Sequence, residues 1–218
     1  MCSWKRARKP EQMEVRRQQI LDAALELFLG SDYNNVSLNQ IARRAGMAKS
    51  NIYNYFQTRE EIYLVLMQEL MIRWGESVIE SLLARPANGI TDLVERFIDP
   101  VAAPKEFLAL TSVLNSSLEQ NSSEESIVQF KEATLQITGR IVEAIQRSLP
   151  WFTAERGSEL LMVMHALTAG IYSASQPSPT LERVLQRPEY SPMKVEFRKT
   201  MIATMTRILR DMEREADR

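Results

Sequence analysis

Between Lys49 and Tyr55 the chain reads Lys-Ser-Asn-Ile-Tyr-Asn-Tyr: a cation, a hydroxyl, two amides and two phenols around one isoleucine. Lysine reaches a phosphate or the acceptor edge of guanine, and an asparagine amide pairs with adenine. Such a set suits contact with nucleic acid better than bond making. Elsewhere the reactive groups are sparse. His165 is the only histidine and Cys2 the only cysteine. Around them the sequence offers neither a metal-spaced cluster nor a glycine-rich phosphate loop, so no enzyme, metal or cofactor is expected.

The elements that must position this stretch can be read from spacing. Ile20, Ala23, Ala24, Leu27 and Phe28 fall on one helical face, and Gly30 stops that helix. Ser37-Leu38-Asn39-Gln40 is a capping box that opens a short helix to Arg44. Gly46 suits a left-handed turn before a second short helix from about Lys49 to Tyr55. Ile41, Ala42, Ala45, Ile52 and Phe56 would pack the two together. Two short helices joined by a glycine-containing turn form a helix-turn-helix, whose second helix enters the major groove. The spacing alone fits a plain helical hairpin equally well.

A second capping box, Thr58 to Glu61, starts a long helix to about Leu83. Five more helical segments are predicted: Thr91–Ile98, ending before Pro100; Pro104–Leu118; Ser122–Ser148, with a seam of Ile127, Phe130, Thr134, Ile137, Ile141 and Ala144; Ala154–Ser175; and Met193–Arg214, with Phe197, Met201, Met205, Ile208 and Met212 along one side. The segment 154–175 is apolar nearly all round, which predicts a buried central helix. Residues 176–192 hold four prolines and read as a loop. The expected fold is all-α with about nine helices.

The stretches Ile20–Phe28, Val36–Gly46, Lys49–Phe56 and Arg59-Glu60 together resemble the N-terminal domain of the TetR family. The likeness covers about Arg17 to Leu66. Its strongest part is the Ile52-Tyr53-Asn54-Tyr55-Phe56 core with a basic residue three positions on. Ala48 departs from the pattern, standing where the family often has a capping Ser or Thr, and a lost cap costs ~1 kcal/mol. The resemblance implies base contacts from Lys49, Ser50 and Asn51, with Asn54 on the same helix. Tyr53 and Tyr55 would touch phosphates and sugars, although the Tyr53 ring can instead fill the module core. Ser37, Asn39 and Gln40 would lie at the backbone or groove edge, and Arg59 would hold a phosphate at the start of the fourth helix. The implied architecture is an N-terminal three-helix DNA-binding module (11–60) after a basic arm (1–10). A helical ligand-binding and dimerisation domain (61–218) follows, with the helix 58–83 linking the two. The implied partners are double-stranded DNA, a second copy of the chain and a small-molecule effector, and the expected activity is repression from a palindromic operator.

Candidate effector contacts are Met67, Met71, Trp74, Phe107, Met162, His165 and Tyr172. Met and aromatic side chains at helical spacing are more often core, and a lone histidine on an apolar helix is more often hydrogen-bonded there than a ligand sensor. The resemblance implies a dimer through the last two long helices, and the small residues Ala166, Ala169, Gly170 and Ser173, which permit close approach of another helix, agree with it.

Charge is uneven. Residues 1–60 hold ten basic against six acidic side chains, whereas the whole chain carries a net −1. The N-terminal quarter can therefore meet a polyanion. A single cysteine fits a reducing compartment. The basic N-terminus lacks a following apolar run, so no signal peptide is expected, and Leu160–Tyr172 is too short to span a bilayer. A cytoplasmic protein with no membrane partner is the expectation.

Overall fold

The computed structural model describes residues 10–31, 33–102 and 105–217. Among them it holds ten α-helices and no strand: α1 Pro10–Gly30, α2 Leu38–Arg44, α3 Lys49–Ile52, α4 Arg59–Leu83, α5 Gly89–Ala102, α6 Lys105–Val113, α7 Glu124–Gln146, α8 Ala154–Ser175, α9 Pro179–Leu185 and α10 Phe197–Ala216. The expected basic arm lies outside the described residues except for Pro10, which already opens α1.

The N-terminal module forms as its periodicity demands. Ile20, Ala24, Ile41, Ala42, Ile52 and Phe56 are all buried. Gly46 takes a φ of 66° between α2 and α3, a conformation a β-carbon disfavours. Ser37 caps α2 through the full reciprocal box with Gln40.

From α4 onward the chain wraps one long helix. α7 runs beside α4 and α5 packs on it; α8 lies on α6, and α10 on α5. The approach of α4 to α7 is set at Gly75, where an added β-carbon would sit 2.2 Å from Cγ1 of Ile137. The seam on α7 is real: Phe130, Ile137, Ile141 and Ala144 are buried.

Several boundaries depart from the sequence expectation. α5 runs through Pro100 to Ala102. Proline removes the one N–H that would meet the Arg96 carbonyl, but Ile90, Leu93, Val94, Phe97 and Ile98 bury the same face and hold the helix. The segment after α6 leaves the α-helical path as a π-helical turn, Leu114–Leu118. Ser123, not Ser122, caps α7. Within the proline-rich stretch α9 forms, because Ser178 caps it and Pro179 sits in its first turn, where no N–H is needed. The last helix starts at Phe197, later than expected.

Two burial expectations are corrected. α8 buries only Gly157, Leu160, Leu161, Met164 and Thr168, while Met162 on its other side is 67% exposed. Conversely, Met201 and Met205 on α10 are buried within the chain. A single apolar pattern says that a face wants cover, not which element covers it.

Candidate nucleic-acid interface and effector site

Lys49, Ser50 and Asn51 project from α3, and all three are exposed. α3 is a single turn, shorter than expected. Its N-cap, Ala48, makes no side-chain hydrogen bond, and at its other end the Asn54 amide donates to the Asn51 carbonyl at 3.1 Å, an alternative to helical pairing. Tyr55 and Phe56 still donate backbone N–H groups to the Ile52 carbonyl, which continues the turn. Tyr53 is 42% exposed, so its ring does not fill the core, and the Lys49 ammonium stands 5.9 Å from its centroid.

On α2, Asn39 is exposed. The Ser37 hydroxyl and backbone N–H both donate to Gln40 Oε1, each at 2.7 Å, which leaves the Gln40 amide nitrogen for an outside partner. A shallow hollow beside it is lined by Leu27, Gln40, Arg43 and Arg44. Arg44 is tied to Glu26. Arg43, in the last turn of α2, is exposed.

Arg59 does something other than the expected phosphate contact. Its guanidinium donates to the carbonyls of Val36 at 2.6 Å and Tyr33 at 3.2 Å. It also pairs with Glu60 at 2.7 Å, and its side chain is only 21% exposed. These bonds hold the α1–α2 connection against α4. Nearby, Glu61 is buried and accepts the N–H groups of Gln57 and Ser123. Burial works to raise its pKa, yet those backbone donors outweigh it and hold the carboxyl below its usual range.

The candidate effector residues divide. Met67, Met71, Trp74 and Phe107 are buried. The Trp74 indole stacks on Phe107 at 5.4 Å and meets Phe97 edge-on at 5.8 Å. Its Nε1 is buried and, among the described residues, has no hydrogen-bond partner. Phe97 was missed as a wall of this box, since its helical spacing looks like ordinary core. His165 is half-buried; burial lowers its pKa, and its Nε2 lies 3.4 Å from the Asn115 amide. Tyr172 donates to the Lys105 carbonyl at 3.4 Å and packs edge-on against Phe197. Met162 is exposed on α8 and so does not share the buried environment of Met67, Met71, Trp74 and Phe107.

A profile of bacterial regulatory proteins of the tetR family matches residues 20–66, and one of tetracyclin repressor-like C-terminal domains matches residues 68–215. The chain belongs to the TetR family. The strong sequence resemblance covered about Arg17 to Leu66, and the two profiles extend the TetR assignment along nearly the whole chain. The fatty acid metabolism regulator protein of Bacillus subtilis (strain 168) is 28% identical over 139 residues, 62% of this chain and 63% of that protein. The regulator HbdR of Aromatoleum sp. (strain CIB) is 32% identical over 94 residues, 43% of this chain and 39% of that protein. The match thus spans less than two thirds of these curated relatives' length. Among solved structures, a TetR-family transcriptional regulator from Syntrophomonas wolfei superposes with a TM-score of 0.56 at 19% identity, covering 95% of this chain and 97% of that one. The fatty acid degradation regulator FadR from Bacillus halodurans does so with a TM-score of 0.50 at 18% identity, covering 87% and 97%. Both show that this TetR chain shares their fold. The two curated relatives are named as a regulator protein and a transcriptional regulator, and among the described residues no group of acidic, histidine or cysteine side chains is arranged to hold a metal.

Proposed function

We propose that this TetR-family chain is a ligand-responsive transcriptional repressor that binds a palindromic operator as a homodimer and leaves it when a small molecule binds. Residues 11–60 form the DNA-binding unit, 61–218 the effector and dimer unit, with α4 joining them. The observation that carries the reading is α3: its one apolar residue, Ile52, is fully buried, while Lys49, Ser50 and Asn51 stand exposed on the module. Among the described residues no hydrogen bond or ion pair engages the side chain of Lys49, Ser50 or Asn51, and that face has the groups base edges require. Asn39, the Gln40 amide, Arg43, Tyr53 and Tyr55 flank it and set register. The exposed side of α8, with Met162, Ala166 and Gly170, supports the second copy.

Support for the effector site comes from Trp74. An indole N–H is a donor only, and burying it unpaired costs ~1–3 kcal/mol. An effector with an aliphatic body and one acceptor, such as a carboxylate or thioester carbonyl, would meet both the donor and the Phe97 and Phe107 rings. The relatives named for fatty acid metabolism and degradation favour that chemistry. The site of action would be the cytoplasm; among the described residues no helix is long and apolar enough to cross a membrane.

A gel shift with the DNA preceding its own gene tests the operator reading. Wild-type protein should retard that fragment in preference to random DNA, and Lys49→Ala with Asn51→Ala should remove the preference. Equal retardation of both DNAs by the wild type overturns it. For the effector, thermal shift with a series of saturated fatty acids and the matching alkanes should stabilise the wild type with the acids, and Trp74→Phe should cancel the advantage of acid over alkane. No response at any chain length removes the acyl reading.

A further inference from the structure

The α1–α2 connection and the turn after α6 are joined by one side chain. Tyr33 lies between the first two helices of the DNA-binding module. Its hydroxyl is 2.9 Å from Ser117 Oγ in the π-helical turn and 3.3 Å from Glu60 Oε1 in the first turn of α4. Donating to the carboxylate and accepting from Ser117 satisfies all three groups. The ring is fixed as well: Phe28 and Tyr63 pack against it at 6.4 and 5.3 Å, and the Arg59 guanidinium covers it at 4.5 Å. Two further bonds tie the same stretch to the start of α4. Thr58 donates to the Asn121 carbonyl at 3.0 Å, and the Ser123 N–H donates to Glu61 at 3.3 Å.

We propose that the Tyr33 hydroxyl is the joint through which the turn after α6 sets the angle of the helix-turn-helix module. The inference rests on the dimeric operator reading above. α6 carries Phe107, stacked on Trp74, and ends in the turn that carries Ser117. A displacement of Phe107 shifts α6 as a unit and so shifts the start of the turn that carries Ser117. A π-helical turn, with the Glu119 N–H bonded back to the Leu114 carbonyl, is a wide segment that can tighten to α geometry and carry Ser117 with it. Tyr33 is then a positioning residue: it contacts no DNA, and it acts through the module it orients.

The joint separates orientation from stability. Removing the Ser117 hydroxyl leaves Tyr33 still bonded to Glu60, so no buried group is orphaned. Tyr33→Phe keeps the ring in its aromatic cluster. Selection of bound duplexes from a random library by full-length protein reads the orientation directly, because the angle between modules fixes the distance between half-sites. Wild-type protein should enrich paired half-sites at one spacing. Tyr33→Phe and Ser117→Ala should enrich the same half-site sequence over a broader range of spacings, with preference for the wild-type spacing over one shifted by two base pairs falling about 2- to 10-fold, as expected for one neutral hydrogen bond. A merely structural role would weaken all spacings alike. An unchanged spacing profile in both variants, beside a clear wild-type palindrome, sinks the inference alone. A wild type that enriches no paired half-sites sinks the operator reading and the inference with it.

Discussion

The guanidinium of Arg59 lies 4.5 Å over the Tyr33 ring and donates to the carbonyls of Val36 and Tyr33, so the first residue of α4 grips the connection between α1 and α2. Its donors face the protein. Arg59→Met should therefore destabilise the fold by about 1–3 kcal/mol, since it strips hydrogen bonds from buried carbonyls and removes the cation partner of Glu60. The slope of log affinity against log salt should stay as it was, because no phosphate contact is lost. A slope reduced by about one would restore Arg59 to the DNA interface.

On α3 the exposed groups give the opposite pattern. Asn51→Ala or Lys49→Ala should leave thermal stability within about 0.5 kcal/mol, as is usual for surface positions. Discrimination between operator and random DNA should fall by about 1–3 kcal/mol if a base contact is lost. Competition binding checks this, and intact discrimination in both variants would remove α3 as the reading element.

Two methionines on the effector half separate dimer from core. Met162 is 67% exposed on α8, whereas Met205 is 2% exposed on α10. Met162→Glu should yield a monomer by sedimentation with helical content retained, and operator binding should go with the dimer. Met205→Asp should instead cost about 2–5 kcal/mol and unfold the effector half, since it buries a carboxylate among apolar groups. A Met162→Glu dimer of unchanged strength would move the interface elsewhere.

The corner between α4 and α5 is pH-sensitive. Arg85 donates to both oxygens of Asp92 and, with the Asn88 N–H, pulls its carboxyl down to about 2 from 3.8. A folded pKa below the unfolded one contributes stability that is complete above the unfolded value and is lost as pH falls through the folded one. Asp92→Asn should lower Tm at neutral pH, and the gap from wild type should close between pH 3.8 and about 2. Carboxyl titration by NMR reads the midpoint directly; a value near 3.8 would show that the pair does not form in solution.

Local patterns set much of this molecule. The helical face Ile20–Phe28, the Ser37–Gln40 capping box and the positive φ at Gly46 follow from residues within one or two turns of each other, so α1, α2 and their turn were legible directly. So was the α7 seam, and so was the set of polar groups exposed on α3. Chain neighbours also decided α9, but the prolines around it masked the Ser178 cap.

What the chain could not state locally was which surface meets which. Spacing marks Met162 and Met205 alike as apolar, yet among the described residues Met205 is buried and Met162 stands exposed. Arg59 reads as a phosphate ligand until the carbonyls of Tyr33 and Val36, more than twenty residues earlier, take its donors. Tyr33 itself looks like an unremarked loop residue, because Ser117 lies 84 positions away. Periodicity reports which face of an element wants cover, and that depends on the element's own residues. Pairing depends on how separate elements pack, and for Tyr33, Arg59 and Trp74 only the folded chain supplies that.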